Sequence, residues 1–190
     1  MIKKQKDEEE NMSLRQIAKN FIYKKIRKMS VHDIRLDHLR KVGVEIGKNT
    51  YIFSDKIETN ESYLIKIGDN VLIAPDVSFF THDASACKYL AGETDIFGRI
   101  TIGDNVFIGG GSIILPGVTI AEDCIIGSGS VVTKSCHTKG TVLAGNPAKP
   151  ITTVEELKVK NEKYTLDFRG MTYEQKREYL LTHEDKMKKA

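Results

Sequence analysis

The sequence lacks the features that mark several large classes of protein. No stretch of its 190 residues approaches eighteen consecutive apolar positions, and the opening MIKKQKDEEE is charged rather than apolar. Neither a spanning helix nor a secretory signal is predicted. Cysteine is scarce: only Cys87, Cys124 and Cys136 occur. Three are too few for a disulfide framework, and without a CxxC they offer no zinc pattern, so the expected compartment is a reducing cytoplasm. What is present, 40% hydrophobic and 29% charged residues, suffices to bury a core and is unlike a disordered tail.

The net charge of +3 is unevenly spread. Residues 1–41 carry +6, residues 42–151 carry −4 and residues 152–190 carry +1. An acidic middle is a poor surface for a phosphate backbone, so no nucleic-acid partner is expected. The split suggests an N-terminal helical segment (1–41), a central domain (42–151) and a C-terminal helical extension (152–190).

The central segment is a repeat. An aliphatic residue returns every six positions through Ile102, Ile108, Ile114, Ile120, Ile126 and Val132, and the same phase runs earlier through Ile67, Ile73 and Phe79 and more faintly through Ile46 and Ile52. Four residues after these anchors stand small or β-branched side chains: Val71, Val77, Val106, Ser112, Val118, Cys124 and Ser130. Ile-Gly-Asp-Asn occurs twice, at 67–70 and 102–105. A period of six fits neither an amphipathic helix nor a continuing strand; it fits a short strand followed by a tight corner. Anchor and i+4 partner point inward, and Gly, Asp and Asn supply corners that tolerate unusual backbone angles. Three units make one triangular turn, and successive coils stack at about 4.8 Å.

The phase breaks between Phe79 and Ile102. About twenty residues (80–101) must leave the coil there, and a long loop in a compact repeat is usually functional. It holds His82. A smaller irregularity lies between Ile52 and Ile67.

These motifs carry a resemblance. The hexapeptide pattern, the looped-out Thr81-His82-Asp83, the run IGDNVFIGGGSIILPGVTI (102–120), GSGSVVTK (127–134) and AGNPAKPI (144–151) are similar to those of the left-handed β-helix acyltransferases, and within them to the galactoside, maltose and polysaccharide O-acetyltransferases. The resemblance covers about 42–151. It implies a left-handed parallel β-helix with helical flanks, a homotrimer, and acetyl-CoA lying as co-substrate in the cleft between neighbouring prisms, with no metal.

The resemblance also assigns residues. His82 matches the catalytic histidine, a general base that takes the proton of an acceptor hydroxyl as its oxygen attacks the thioester; an imidazole titrates near working pH. No acyl-enzyme is required, because holding two substrates in one cleft supplies much of the acceleration. The backbone of the glycine-rich 109–111 segment is a candidate for stabilising the oxyanion. Thr133 and Lys134 match a Thr-Lys pair that meets the pantetheine and phosphate portion of the cofactor. Ser128 falls where the family makes a backbone contact to the pantetheine arm. Gly110 stands where the sugar acetyltransferases carry a serine. Lys149 matches a basic residue at the nucleotide end, although Thr152 replaces a second one. Positive charge at Lys134 and Lys149 suits phosphate in an otherwise acidic domain.

The acceptor end departs from the family. An asparagine of the sugar acetyltransferases falls by count near Ser54, while the nearest residue of that type is Asn60. Asp83 is a candidate for orienting the imidazole or binding acceptor hydroxyls. Cys87 has no orienting partner for a Cys–His nucleophile, Cys124 reads as core, and Cys136-His137 has no further metal ligand in spacing. The expected function is acetyl transfer to a hydroxyl of a sugar or glycan precursor. N-acetylation of an amino-sugar nucleotide or small amine, or a non-catalytic scaffold, are the alternatives.

Both flanks read as helical. Residues 12–29 place Leu14, Ile17, Ala18, Phe21, Ile22 and Ile26 on one face and Lys/Arg on the other. Docking on the prism end or on a neighbouring subunit is the expectation, and peripheral contact with the inner face of an anionic membrane is the alternative. Residues 152–164 and 172–189 read as helices, the second capped by its threonine, and the expected role is a lid or trimer brace.

Overall fold

A computed structural model of the chain describes residues 30–92 and 94–189; the amphipathic stretch 12–29 lies outside them. The six-residue anchors stack in three columns. Ile46, Ile67, Ile102 and Ile120 are direct parallel partners on one face. Ile52, Ile73, Ile108, Ile126 and Leu143 form the second, and Phe79, Ile114 and Val132 the third. Every i+4 residue from Val71 to Ser130 named above is buried. Strands are only two or three residues long through the repeat, since a corner interrupts each face. Three parallel sheets therefore close around one continuous aliphatic core, a parallel β-helix. Truncating an interior isoleucine of such a column costs about 2–5 kcal/mol.

The repeated Ile-Gly-Asp-Asn is a corner device. The Asp104 carboxylate accepts the Asp69 amide at 2.7 Å, and a Cβ on Gly68 would collide with that carboxylate. Asn70 and Asn105 both sit at φ 57°, a region asparagine tolerates better than most residues. Their side chains continue a ladder up the corner: Asn70 donates to Asn105 at 3.1 Å, and Asn105 to Asp123 at 2.9 Å. This motif specifies structure and leaves the other two corners for chemistry.

Both interruptions of the period fall at one of those corners, the one that follows the third face. There the first coil is extended across Ser62–Leu64, a short 3-10 turn. The second coil extrudes the long loop after Phe79. The coil resumes at Ile100, two residues inside the loop bounds read from the sequence, because Ile100 and Thr101 already pair with Ile65 and Lys66.

Helix α1 (Val31–Lys41) closes one end of the prism. Ser30 and Asp33 form a reciprocal capping box, and Leu36 and Leu39 enter the core. At the other end Ala148–Thr153 returns antiparallel to Thr141–Gly145 on the second face. Helix α2 (Val154–Asn161) follows, capped by Thr153, and then α3 (Tyr173–Thr182), capped by Thr172 as its sequence suggests. Thr152 and Thr153 stay in the strand rather than the helix, since they pair with Val142 and Thr141. Neither α2 nor α3 contains a buried residue. No helix among the described residues is long and apolar enough to cross a membrane.

Candidate active site

The extruded loop is not structureless. Its first and last parts pair antiparallel, His82 with Phe97 and Asp83 with Ile96, and a 3-10 helix, Ala84–Lys88, fills the tip. Gly98 anchors the return: its amide donates to the Thr81 carbonyl at 2.9 Å. It also packs so closely on Gly117 that a Cβ would strike backbone. The imidazole is thereby fixed at the prism corner and about a third exposed (32%).

The extension of the first coil meets this loop. Glu61 Oε2 lies 2.9 Å from His82 Nδ1 and accepts the Thr81 hydroxyl at 2.8 Å. Thr81 is fully buried and also reaches Thr59 Oγ1 at 2.9 Å. The hydrogen bond from His82, joined by that from Thr81, holds the Glu61 carboxyl below its ordinary range. An ionised carboxylate only accepts hydrogen bonds. Nδ1 therefore carries a proton, and in the neutral imidazole the lone pair lies on Nε2.

Asp83 is differently engaged. Its Oδ1 accepts the Ser85 amide at 2.9 Å and caps the short helix; this bond lowers its pKa. The group holding the imidazole is Glu61. Ser54, near the position counted for the family's asparagine, is buried with its hydroxyl on the Val77 carbonyl. Cys87 is exposed, whereas Cys124 and Cys136 are buried.

The residues matched to cofactor contacts divide between two edges of the prism. Thr133 and Lys134 follow Val132 on the third face, as His82 follows Phe79. The register Phe79–Ile114–Val132 puts them on the same edge as His82, two coils away, or about 10 Å. Gly110 and Ser128 lie on the edge before the third face. There Gly129 donates to the Gly110 carbonyl at 2.9 Å, and a Cβ on Gly109 would stand 2.5 Å from the Ser128 nitrogen. Lys149 pairs with Ala144 above that second edge. The amides of Gly109 and Gly111 are donated to Ile126 and Pro75, which takes them from the oxyanion role suggested for 109–111. Lys134 and Lys149 are exposed, and neither forms an ion pair among the described residues.

Comparison with known proteins decides the family. The model for bacterial transferase hexapeptide (six repeats) matches residues 99–134. Protein CapG of Staphylococcus aureus is 44% identical over 161 residues, covering 81% of this chain and 91% of that protein. The chain belongs to the hexapeptide-repeat acetyltransferases. Galactoside O-acetyltransferase of Escherichia coli K12 is 37% identical over 114 residues, 60% of this chain and 55% of that enzyme. A solved galactoside acetyltransferase in complex with coenzyme A shares the fold, with a TM-score of 0.52 at 24% identity, over 82% of this chain and 85% of that one.

Glu61 is the residue of this hexapeptide-repeat acetyltransferase that its sequence did not disclose. The signal for it was the position of the two breaks. Ile52 to Ile67 and Phe79 to Ile102 both lose the phase after the third face, so both insertions must emerge at one corner.

Proposed function

We propose that this acetyltransferase moves an acetyl group from acetyl-CoA to a hydroxyl of a sugar or glycan precursor, with His82 as general base. The observation that carries the reading is the Glu61–His82 pair at a corner extruded from the repeat. Glu61 holds the proton on Nδ1, so Nε2 takes the acceptor hydroxyl proton while the oxygen attacks the thioester carbonyl. The tetrahedral intermediate collapses with cleavage of the C–S bond, and the imidazolium returns its proton to the departing sulfur. No bond to the protein forms. The galactoside O-acetyltransferase relative and the coenzyme A complex of a protein of like fold support the substrate classes.

The residues present suit that donor. Lys134 and Lys149, without an ion pair among the described residues, offer positive charge to its phosphates, and the glycine-lined edge at Gly110 and Ser128 lets a chain approach the backbone closely. The two edges are separated by one face, about 20 Å of extended chain. One prism thus cannot enclose a single ligand with both sets. An edge of one copy set against the opposite edge of the next can, which supports a homotrimer with its sites in the clefts. The acetyl donor is cytoplasmic, and that is where we locate the reaction.

The test is release of free CoA, followed with a thiol reagent, across neutral sugars, nucleotide sugars and amino sugars. Acceptor-dependent release with sugars carries the reading. Release with amines alone would make the enzyme an N-acetyltransferase. Absence of both release and acetyl-CoA binding by calorimetry would leave a scaffold.

A further inference from the structure

The loop that positions His82 also sets a large apolar ring beside it. Phe97 directly opposes His82 across the short ladder, so their side chains share one face. The ring centroids lie 6.0 Å apart at 47°. Phe97 is nevertheless 56% exposed. The anchors of the repeat are buried against the core, whereas this ring is held at the surface by a strand that the Gly98–Thr81 bond and the Gly98–Gly117 packing tie to the prism.

We propose that Phe97 is an acceptor-positioning residue, its ring receiving the C–H face of a neutral pyranoside whose hydroxyl meets His82 Nε2. The inference rests on the function proposed above and narrows its acceptor class. Glu61 occupies the Nδ1 side of the imidazole. A hydroxyl within about 3 Å of Nε2 therefore belongs to a molecule that lies along the imidazole on its open side, within reach of Phe97. A pyranose presents axial C–H groups that pack on an aromatic face, and burial of that area orients the ring while its hydroxyls stay polar. A small amine has no such face. The two carboxylates that interact electrostatically with His82, Glu61 and Asp83, disfavour an anionic ring at the same place.

The test compares wild type with Phe97→Ala, Phe97→Leu and Phe97→Tyr. The acceptor is methyl β-galactoside, or the neutral pyranoside of the panel with the highest turnover. Phe97→Ala is expected to raise the acceptor KM about tenfold and leave the acetyl-CoA KM unchanged. Phe97→Leu falls between, and Phe97→Tyr, which keeps the ring, stays close to wild type. An unchanged acceptor KM in Phe97→Ala and Phe97→Leu overturns the proposal, as does a parallel rise in both KM values, which marks a collapsed loop. Wild-type turnover with flat KM values sinks only the role of Phe97. Wild-type inactivity toward every pyranoside sinks the sugar reading and this inference with it.

Discussion

Glu61 and His82 are 21 positions apart in sequence, yet the carboxylate Oε2 and the imidazole Nδ1 stand 2.9 Å from each other. The pair exists because two insertions leave the same corner on successive coils. Glu61→Gln keeps the shape but presents either an oxygen or an NH2 to the ring, so it no longer enforces the tautomer that frees Nε2. A fall in kcat of about 10- to 100-fold is expected, with acetyl-CoA affinity by calorimetry unchanged. An unaltered kcat would mean that the carboxylate does not position the base.

The same carboxyl links stability to pH. Its pKa is lowered in the folded protein by the hydrogen bonds from His82 and Thr81, so the folded state favours the ionised form. That stabilisation is complete above the ordinary glutamate range near 4.5 and is lost as pH falls through the depressed folded value. Wild type should therefore exceed Glu61→Gln in Tm at neutral pH, with the gap closing in acid. A gap that widened below pH 4 would contradict the assigned direction.

Gly98→Ala isolates the anchoring of the loop. The added methyl collides with the Gly117 backbone rather than with a movable side chain. The return strand must shift, carrying Phe97 and the His82 ladder with it. A large loss of kcat with the β-helix retained is expected, read as far-UV circular dichroism close to wild type and activity at least about tenfold lower.

Lys134 and Lys149 act on the donor alone. Removing either is expected to raise the KM for acetyl-CoA about three- to tenfold and to leave kcat nearly unchanged. The penalty should shrink at high salt, as screening weakens the charge that wild type still has. A kcat effect without a KM effect would move these residues from donor binding to chemistry.

Much of this molecule was written in its period. The anchors Ile102 to Val132 and their i+4 partners are the buried columns, because a six-residue corner leaves each side chain only one direction to point. His82 was visible through the loop that carries it. Glu61 was not, because the bulge that holds it has no periodicity and its partner belongs to the next coil. Asp83, adjacent to His82 in sequence, caps the loop helix instead, since neighbours on a strand point to opposite faces.

The most direct test sets His82→Ala beside wild type, measuring acceptor-dependent CoA release and acetyl-CoA binding on the same preparations. Turnover should fall by at least about a hundredfold while the dissociation constant for acetyl-CoA stays within about twofold. Turnover that survives the substitution would contradict His82 as the general base.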